Sequence, residues 1–176
     1  NDKVGLIIFS DRIEKFVPPR KGRAHVLRVL RELFYHRPEG RGTDIRGALE
    51  YLSHVIKRRA VVFLVSDFKA PRFEKPLSVA GRRHDLIAVH LGDQREAVMP
   101  ALGYMEFEDA ETGELHTVNT ADPRFRAEFE KRVASERAEL GDIFRHSRVD
   151  TIDIETDRPY VQPLMRFFKE REGRFR

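Results

Sequence analysis

The sequence predicts an α/β domain built on an open, doubly wound and mostly parallel sheet. Short apolar runs recur along the chain: Val4 to Phe9 (VGLIIF), Ala60 to Val65 (AVVFLV) and Asp85 to Leu91 (DLIAVHL). An uninterrupted apolar run of this length marks a strand buried on both faces of a parallel sheet. Between these runs lie segments whose apolar residues repeat at helical spacing. Strand, helix, strand in that order is the signature of crossover units, which wind in one hand and place helices on both faces of the sheet.

Size and composition narrow the field. The chain has 176 residues, 40% hydrophobic and 35% charged, which suits a single globular domain over residues 1–176. It contains no Cys, so disulfides, Cys-based zinc sites and thiol nucleophiles are excluded. No apolar run approaches the roughly 20 residues that cross a bilayer. The net charge is +4, from 33 Lys and Arg against 29 Asp and Glu. The two signs interleave, as in Glu128, Glu130, Lys131, Arg132 and Glu136, which is the pattern of a solvated helix face. No nucleic-acid partner is therefore expected.

Each element has its own signal. After Val4 to Phe9, Ser10, Asp11 and Arg12 turn the chain into a short strand, Ile13 to Val17. Pro18 and Pro19 end that strand and confine it to a sheet margin, because proline cannot donate to a ladder. Val26, Val29, Leu30, Leu33 and Phe34 then follow helical spacing until Pro38 and Gly40. The Gly-rich loop Gly40, Arg41, Gly42, Thr43, Asp44 opens a helix with Ile45, Ala48, Leu49, Leu52, Val55 and Ile56 on one face, and Thr43 or Asp44 is its natural N-cap. Lys57, Arg58 and Arg59 suit the C-terminal end of that helix dipole. A short helix around Phe73 to Ala80 precedes the strand Asp85 to Leu91.

The rhythm then changes. Tyr104 to Glu108 and Leu115 to Val118 alternate about the turn Glu111, Thr112, Gly113, which predicts an inserted exposed hairpin at about 104–118. Asp122 and Pro123 start a long helix whose Phe125, Phe129, Val133, Leu140 and Phe144 form a stripe expected to lie in the core. Val149 to Ile154 is a last strand, and Leu164, Phe167 and Phe168 mark a closing helix.

In such sheets ligands bind where the strands end at their carboxyl side. Ser10 with Asp11, Thr43, and Ser66 with Asp67 gather on that edge. Thr43 and Asp67 offer oxygen ligands, the kind Mg²⁺ takes; the plainer reading makes Thr43 a helix cap and Asp67 a turn former. The histidines have no metal-ligand spacing, and His84 and His90 flank opposite ends of one strand. Gly40-Arg41-Gly42 is too short a signal for a phosphate cradle. Glu106, Glu108, Asp109 and Glu111 lack EF-hand spacing and read as a solvated hairpin tip. An enzymatic alternative is a metal-dependent phosphohydrolase using Asp67, with Asp11 as the second carboxylate.

Taken together, KVGLIIFSD, FVPPRKGRAHVLRVLREL, PEGRGTDIRGALEYL, VVFLVSDF, RRHDLIAVHLGDQRE, the DAETGE hairpin and ETDRPYVQPLMRFFKER resemble domain-of-unknown-function family fifty-eight. This is a von Willebrand factor A-like group usually encoded beside MoxR-type AAA+ ATPases. The resemblance runs in order through essentially the whole chain. It implies a protein-interaction module rather than an enzyme, with a MoxR-type ATPase or its client protein as partner. It also implies a place in the cytoplasm or on the cytoplasmic face of a membrane. The family's metal-ion-dependent adhesion site uses a D-x-S-x-S loop, a Thr and an Asp. By position these last two are Thr43 and Asp67, with Ser10, Asp11 and Ser66 at the site's edge. The chain departs from the pattern in one place: its first strand matches the family's second, and D-x-S-x-S is absent. The absent strand would lie between Val4 to Phe9 and Ala60 to Val65. The resemblance thus implies Mg²⁺ in the complete domain, no bound metal in this fragment, and self-association as one remedy for the open strand position.

Overall fold

In the computed structural model, which describes residues 2–93, 96, 98–108 and 113–174, the first apolar run forms β1 (Val4–Phe9). It pairs antiparallel with β2 (Ile13–Arg20), with Leu6 opposite Val17 and Ile7 opposite Phe16. The sequence predicts that β2 ends at Val17. The strand instead continues to Arg20, and its register slips between the Val4–Arg20 and Leu6–Val17 pairs. Pro18 and Pro19 sit at that irregularity, where the absent N–H groups cost the ladder nothing.

Helix α1 (Arg23–Tyr35) follows, then α2 (Ile45–Val55), β3 (Val61–Ser66), α3 (Glu74–Arg83) and β4 (Asp85–Gly92). The hairpin comes next as β5 (Tyr104–Glu108) and β6 (Leu115–Asn119), with Met105 opposite Val118. Its expected tip residues Asp109, Glu111 and Thr112 lie outside the described residues. Helix α4 (Pro123–Ser147), strand β7 (Asp150–Glu155) and helix α5 (Val161–Arg174) complete the chain. The class is α/β, with a parallel three-stranded sheet in the order β3-β4-β7 between helical layers. Among the described residues β1 is joined only to β2, so the expected four-stranded parallel sheet is instead three strands plus a separate two-stranded ribbon.

Packing follows from that break. On one face Ile45, Leu49 and Leu52 of α2, Leu64 of β3, Leu77 of α3, Leu86 and Ala88 of β4 and Phe144 of α4 form the main core, joined by Ile7 and Phe9 of β1. On the other face Ile87, Val89 and Ile152 pack against Leu164 and Phe167 of α5. Strand β4 is thus buried on both faces, as its sequence predicts. β1 and β3 are not. On β3 only Leu64 is buried, while Val61, Phe63 and Val65 are 60%, 47% and 50% exposed. The reason is position: β4 has a strand on each side, whereas β3 is an edge among the described residues, and α5 reaches the face of β3 away from the main core through Phe168, edge-on to Phe63 at 6.5 Å.

Two helices also depart from expectation. In α1 Val29 is buried, but Leu27, Leu30, Leu33 and Phe34 face solvent, since the helix packs chiefly on β1. In α4 only Phe144 of the Phe stripe is buried. The second half of this helix packs on α3 and β7, while Phe125 and Phe129 stack on each other, centroids 6.5 Å apart.

His84 closes α3 and is buried with neither ring nitrogen hydrogen-bonded. Burial, with help from the neighbouring Arg83 charge, lowers its pKa below the ordinary histidine value. The unfolded chain therefore takes up this proton more readily, so stability falls as pH drops through the unfolded histidine's pKa. His84→Leu should fold normally and flatten that pH dependence, which denaturant melts from pH 5 to 8 would read.

Candidate functional site

The carboxyl ends of β1 and β3 build the site. β1 runs into Ser10, whose backbone N–H donates to the Arg12 carbonyl at 2.8 Å and closes the turn to β2. The Ser10 carbonyl accepts from the Asp44 N–H at 2.7 Å, which fixes the start of α2 beside the end of β1. α2 then runs back along the core, and β3 returns. Ser66 and Asp67 at the end of β3 therefore come out on the edge where α2 begins. Thr43 precedes Asp44 in the loop that opens that helix.

Asp44 caps α2, its carboxylate accepting from the Gly47 N–H at 2.9 Å. This decides between the two possible caps and leaves the exposed Thr43 hydroxyl without a hydrogen bond to any described residue. Asp67 is also exposed. Its Oδ1 accepts from the Lys69 N–H and the Ser66 hydroxyl, each at 3.3 Å, and Ser66 Oγ accepts from the Phe68 N–H at 3.1 Å. This tight turn puts Phe68 at φ 57°, a conformation that non-glycine residues hold only where packing compels it. Here the buried Phe68 ring is wedged between Phe73 and Phe144, at 5.7 and 4.9 Å. No hydrogen bond joins the Ser66–Asp67 pair to Ser10, Asp11 or Thr43.

Ser10 and Asp11 are drawn elsewhere. The Ser10 hydroxyl donates to Glu14 at 2.6 Å and lies 3.2 Å from Asp11. Asp11 is held by the Arg12 Nε–H at 2.9 Å, and the Arg12 guanidinium keeps its carboxyl below the usual carboxylate range. Asp11 is thus held within its own turn.

Glu14, on β2, was not picked out by the sequence reading. Its side chain is only 4% exposed, and its Oε1 accepts from the Gly40 N–H at 2.8 Å and the Glu39 N–H at 3.1 Å as well as from Ser10. The Ser10 hydroxyl above all, then the Gly40 amide, holds this carboxyl below the usual range. The Gly-rich loop therefore turns these two amides onto a carboxylate of its own chain, away from any phosphate. Gly40 has to be glycine here. A Cβ would stand 2.9 Å from Ser10 Cβ and closer still to Ser10 Oγ and Asp11 Oδ1. Gly40→Ala should cost about 1–3 kcal/mol through this overpacking, measurable by urea unfolding.

A second group missed by the sequence reading is a row across the parallel sheet. Ser66, His90 and Asp153 are register partners on β3, β4 and β7. His90 Nδ1 lies 3.0 Å from Asp153 Oδ1, and this hydrogen bond holds the Asp153 carboxyl below the usual range.

Mg²⁺ calls for several hard oxygens in near-octahedral array. Among the described residues no group of three or more His, Cys, Asp or Glu side chains converges as a metal site would require. Thr43 offers one hydroxyl oxygen and Asp67 one carboxylate.

The family described as "Protein of unknown function DUF58" matches residues 1–139. The chain belongs to this family. It is 30% identical over 158 residues to the uncharacterized protein MAV169 of Mycobacterium avium, aligning over 88% of this chain and 93% of that protein. It is 28% identical over 173 residues to the uncharacterized protein Rv1480 of Mycobacterium tuberculosis, over 97% of this chain but 54% of the relative. The chain thus spans about half the length of that second relative. Two solved structures share the fold at low identity. One is an aerotolerance-related membrane protein from Bacteroides fragilis, with TM-score 0.55 and 16% identity, aligned over 89% of this chain and 73% of that one. The other is the conserved hypothetical protein BatB from Bacteroides thetaiotaomicron, with TM-score 0.56 and 14% identity, over 98% and 79%. Among the described residues of this chain no helix is long and apolar enough to cross a membrane.

Proposed function

We propose that this chain is the greater part of a von Willebrand A-like protein-interaction module that works beside a MoxR-type AAA+ ATPase, binding the ATPase or its client. The observation that carries this reading is the break between β1 and β3. Ile7 and Phe9 share one core with Leu64, yet among the described residues no ladder joins their strands, and Val61, Phe63 and Val65, on the sheet face away from that core, are largely exposed. An exposed apolar strand edge is a feature that folded proteins normally cover. One strand inserted there would make a single sheet, and the loop after it would emerge between Thr43 and Asp67. In that complete domain Thr43 and Asp67 would be two of the ligands of a Mg²⁺ ion, with Ser10, Asp11 and Ser66 at the rim. Work in the cytoplasm, or on the cytoplasmic face of a membrane, accords with a partner of the AAA+ class.

The test is direct binding of the purified MoxR-type ATPase, measured by biolayer interferometry. Saturable binding that Asp67→Ala weakens at least about tenfold, or about 1.4 kcal/mol, with an unchanged melting temperature, supports the reading. Binding indifferent to both Asp67→Ala and Thr43→Ala would remove this edge as the interaction site.

A further inference from the structure

We infer that Glu14 is the positioning residue of the candidate site, fixing the loop that carries Thr43 through a single carboxylate oxygen. This rests on the proposed role of Thr43 for its functional meaning, but its geometry stands independently. All three donors, the Ser10 hydroxyl and the Glu39 and Gly40 amides, converge on Oε1. Four residues further on, the Asp44 N–H meets the Ser10 carbonyl. The segment from Gly40 to Asp44 is thus clasped at both ends, and Ser10 takes part in both clasps. Thr43 lies between them with its hydroxyl free of any described partner.

The carboxylate is suited to this because an ionised oxygen accepts several hydrogen bonds at once. The other oxygen, Oε2, makes none of these bonds. It faces His36 Nε2 at 3.8 Å, a buried ring nitrogen with no hydrogen-bond partner. Glu14→Gln should therefore keep the whole clasp: its amide oxygen occupies the Oε1 position, and its NH₂ group turns toward the unpaired His36 nitrogen. Glu14→Ala removes the acceptor altogether.

Amide hydrogen exchange followed by NMR separates the possibilities. In Glu14→Ala the Gly40 amide should exchange about tenfold faster, while the β4 amides of Ala88 and Val89 keep their protection. In Glu14→Gln the Gly40 amide should stay within about twofold of the parent. If Glu14→Ala unfolds the chain, Glu14→Gln alone carries the test. Gly40 still protected in Glu14→Ala, or freed equally in Glu14→Gln, would overturn the inference. Where the ATPase binds, Glu14→Ala should weaken it and Glu14→Gln restore it. Where the parent chain does not bind but the exchange pattern holds, the proposed partner is wrong and the positioning role stands.

Discussion

Val62→Asp is expected to unfold the domain, whereas Val65→Asp on the same strand is expected to leave its melting temperature nearly unchanged. Successive residues of a strand point to opposite faces, and on β3 the two faces have different fates. Val62 packs against the main core beside buried Leu64, so a carboxylate there has apolar neighbours and no partner. The cost is several kcal/mol, a large share of a stability of about 5–15 kcal/mol. Val65 is half exposed on the opposite face of the sheet, where a charge stays hydrated and the change should be about 0.5 kcal/mol or less. A charge there should also blunt an aggregation-prone edge. Thermal melts by circular dichroism check both, and equal loss in the two variants would show that the outer face of β3 is covered after all.

Arg171→Ala should be nearly as damaging, at about 3 kcal/mol. Arg171 reaches from α5 to the amino ends of two strands, bonding Asp150 of β7 through Nη1 at 3.0 Å and Asp85 of β4 through Nη2. Its side chain is 17% exposed. Removing it leaves two partly buried carboxylates close together without their shared cation. It also loosens the helix whose Leu164 and Phe167 cover Ile87, Val89 and Ile152. Arg171→Lys should recover only part of the loss, because one ammonium does not fork between two carboxylates as a guanidinium does. Urea unfolding gives the free energies. If Asp85→Asn and Asp150→Asn together fail to relieve Arg171→Ala, the damage comes from something other than repulsion between the two carboxylates.

The sequence made the β4 strand, the α2 helix and the β5–β6 hairpin legible because each carries a strong local signal: an apolar run, an amphipathic stripe after a cap, and alternation about a turn. Burial of β1 and β3 was not legible, because an apolar run records the environment a strand is suited to, not whether a neighbouring strand is there to supply it. The same applies to the outward leucines of α1. Of the candidate site, Thr43 and Asp67 could be proposed because one lies in a Gly-rich loop and the other follows an apolar strand. Glu14 could not, since its donors Glu39 and Gly40 lie 25 and 26 residues away. His90 and Asp153 are separated by 63 residues and meet only through the register of two parallel strands.

Titration calorimetry with Mg²⁺ puts the proposed module to its most direct trial. It would compare the 176-residue chain with the same chain preceded by an added segment of one apolar strand and a D-x-S-x-S loop. Extension should supply both the strand between β1 and β3 and the missing oxygens, so the extended chain should bind Mg²⁺ saturably and lose that binding in Asp67→Ala. The 176-residue chain should give little or no heat, since one hydroxyl and one carboxylate do not displace the tightly held water of this ion. Tight binding by the 176-residue chain itself, or none after extension, would contradict the proposal.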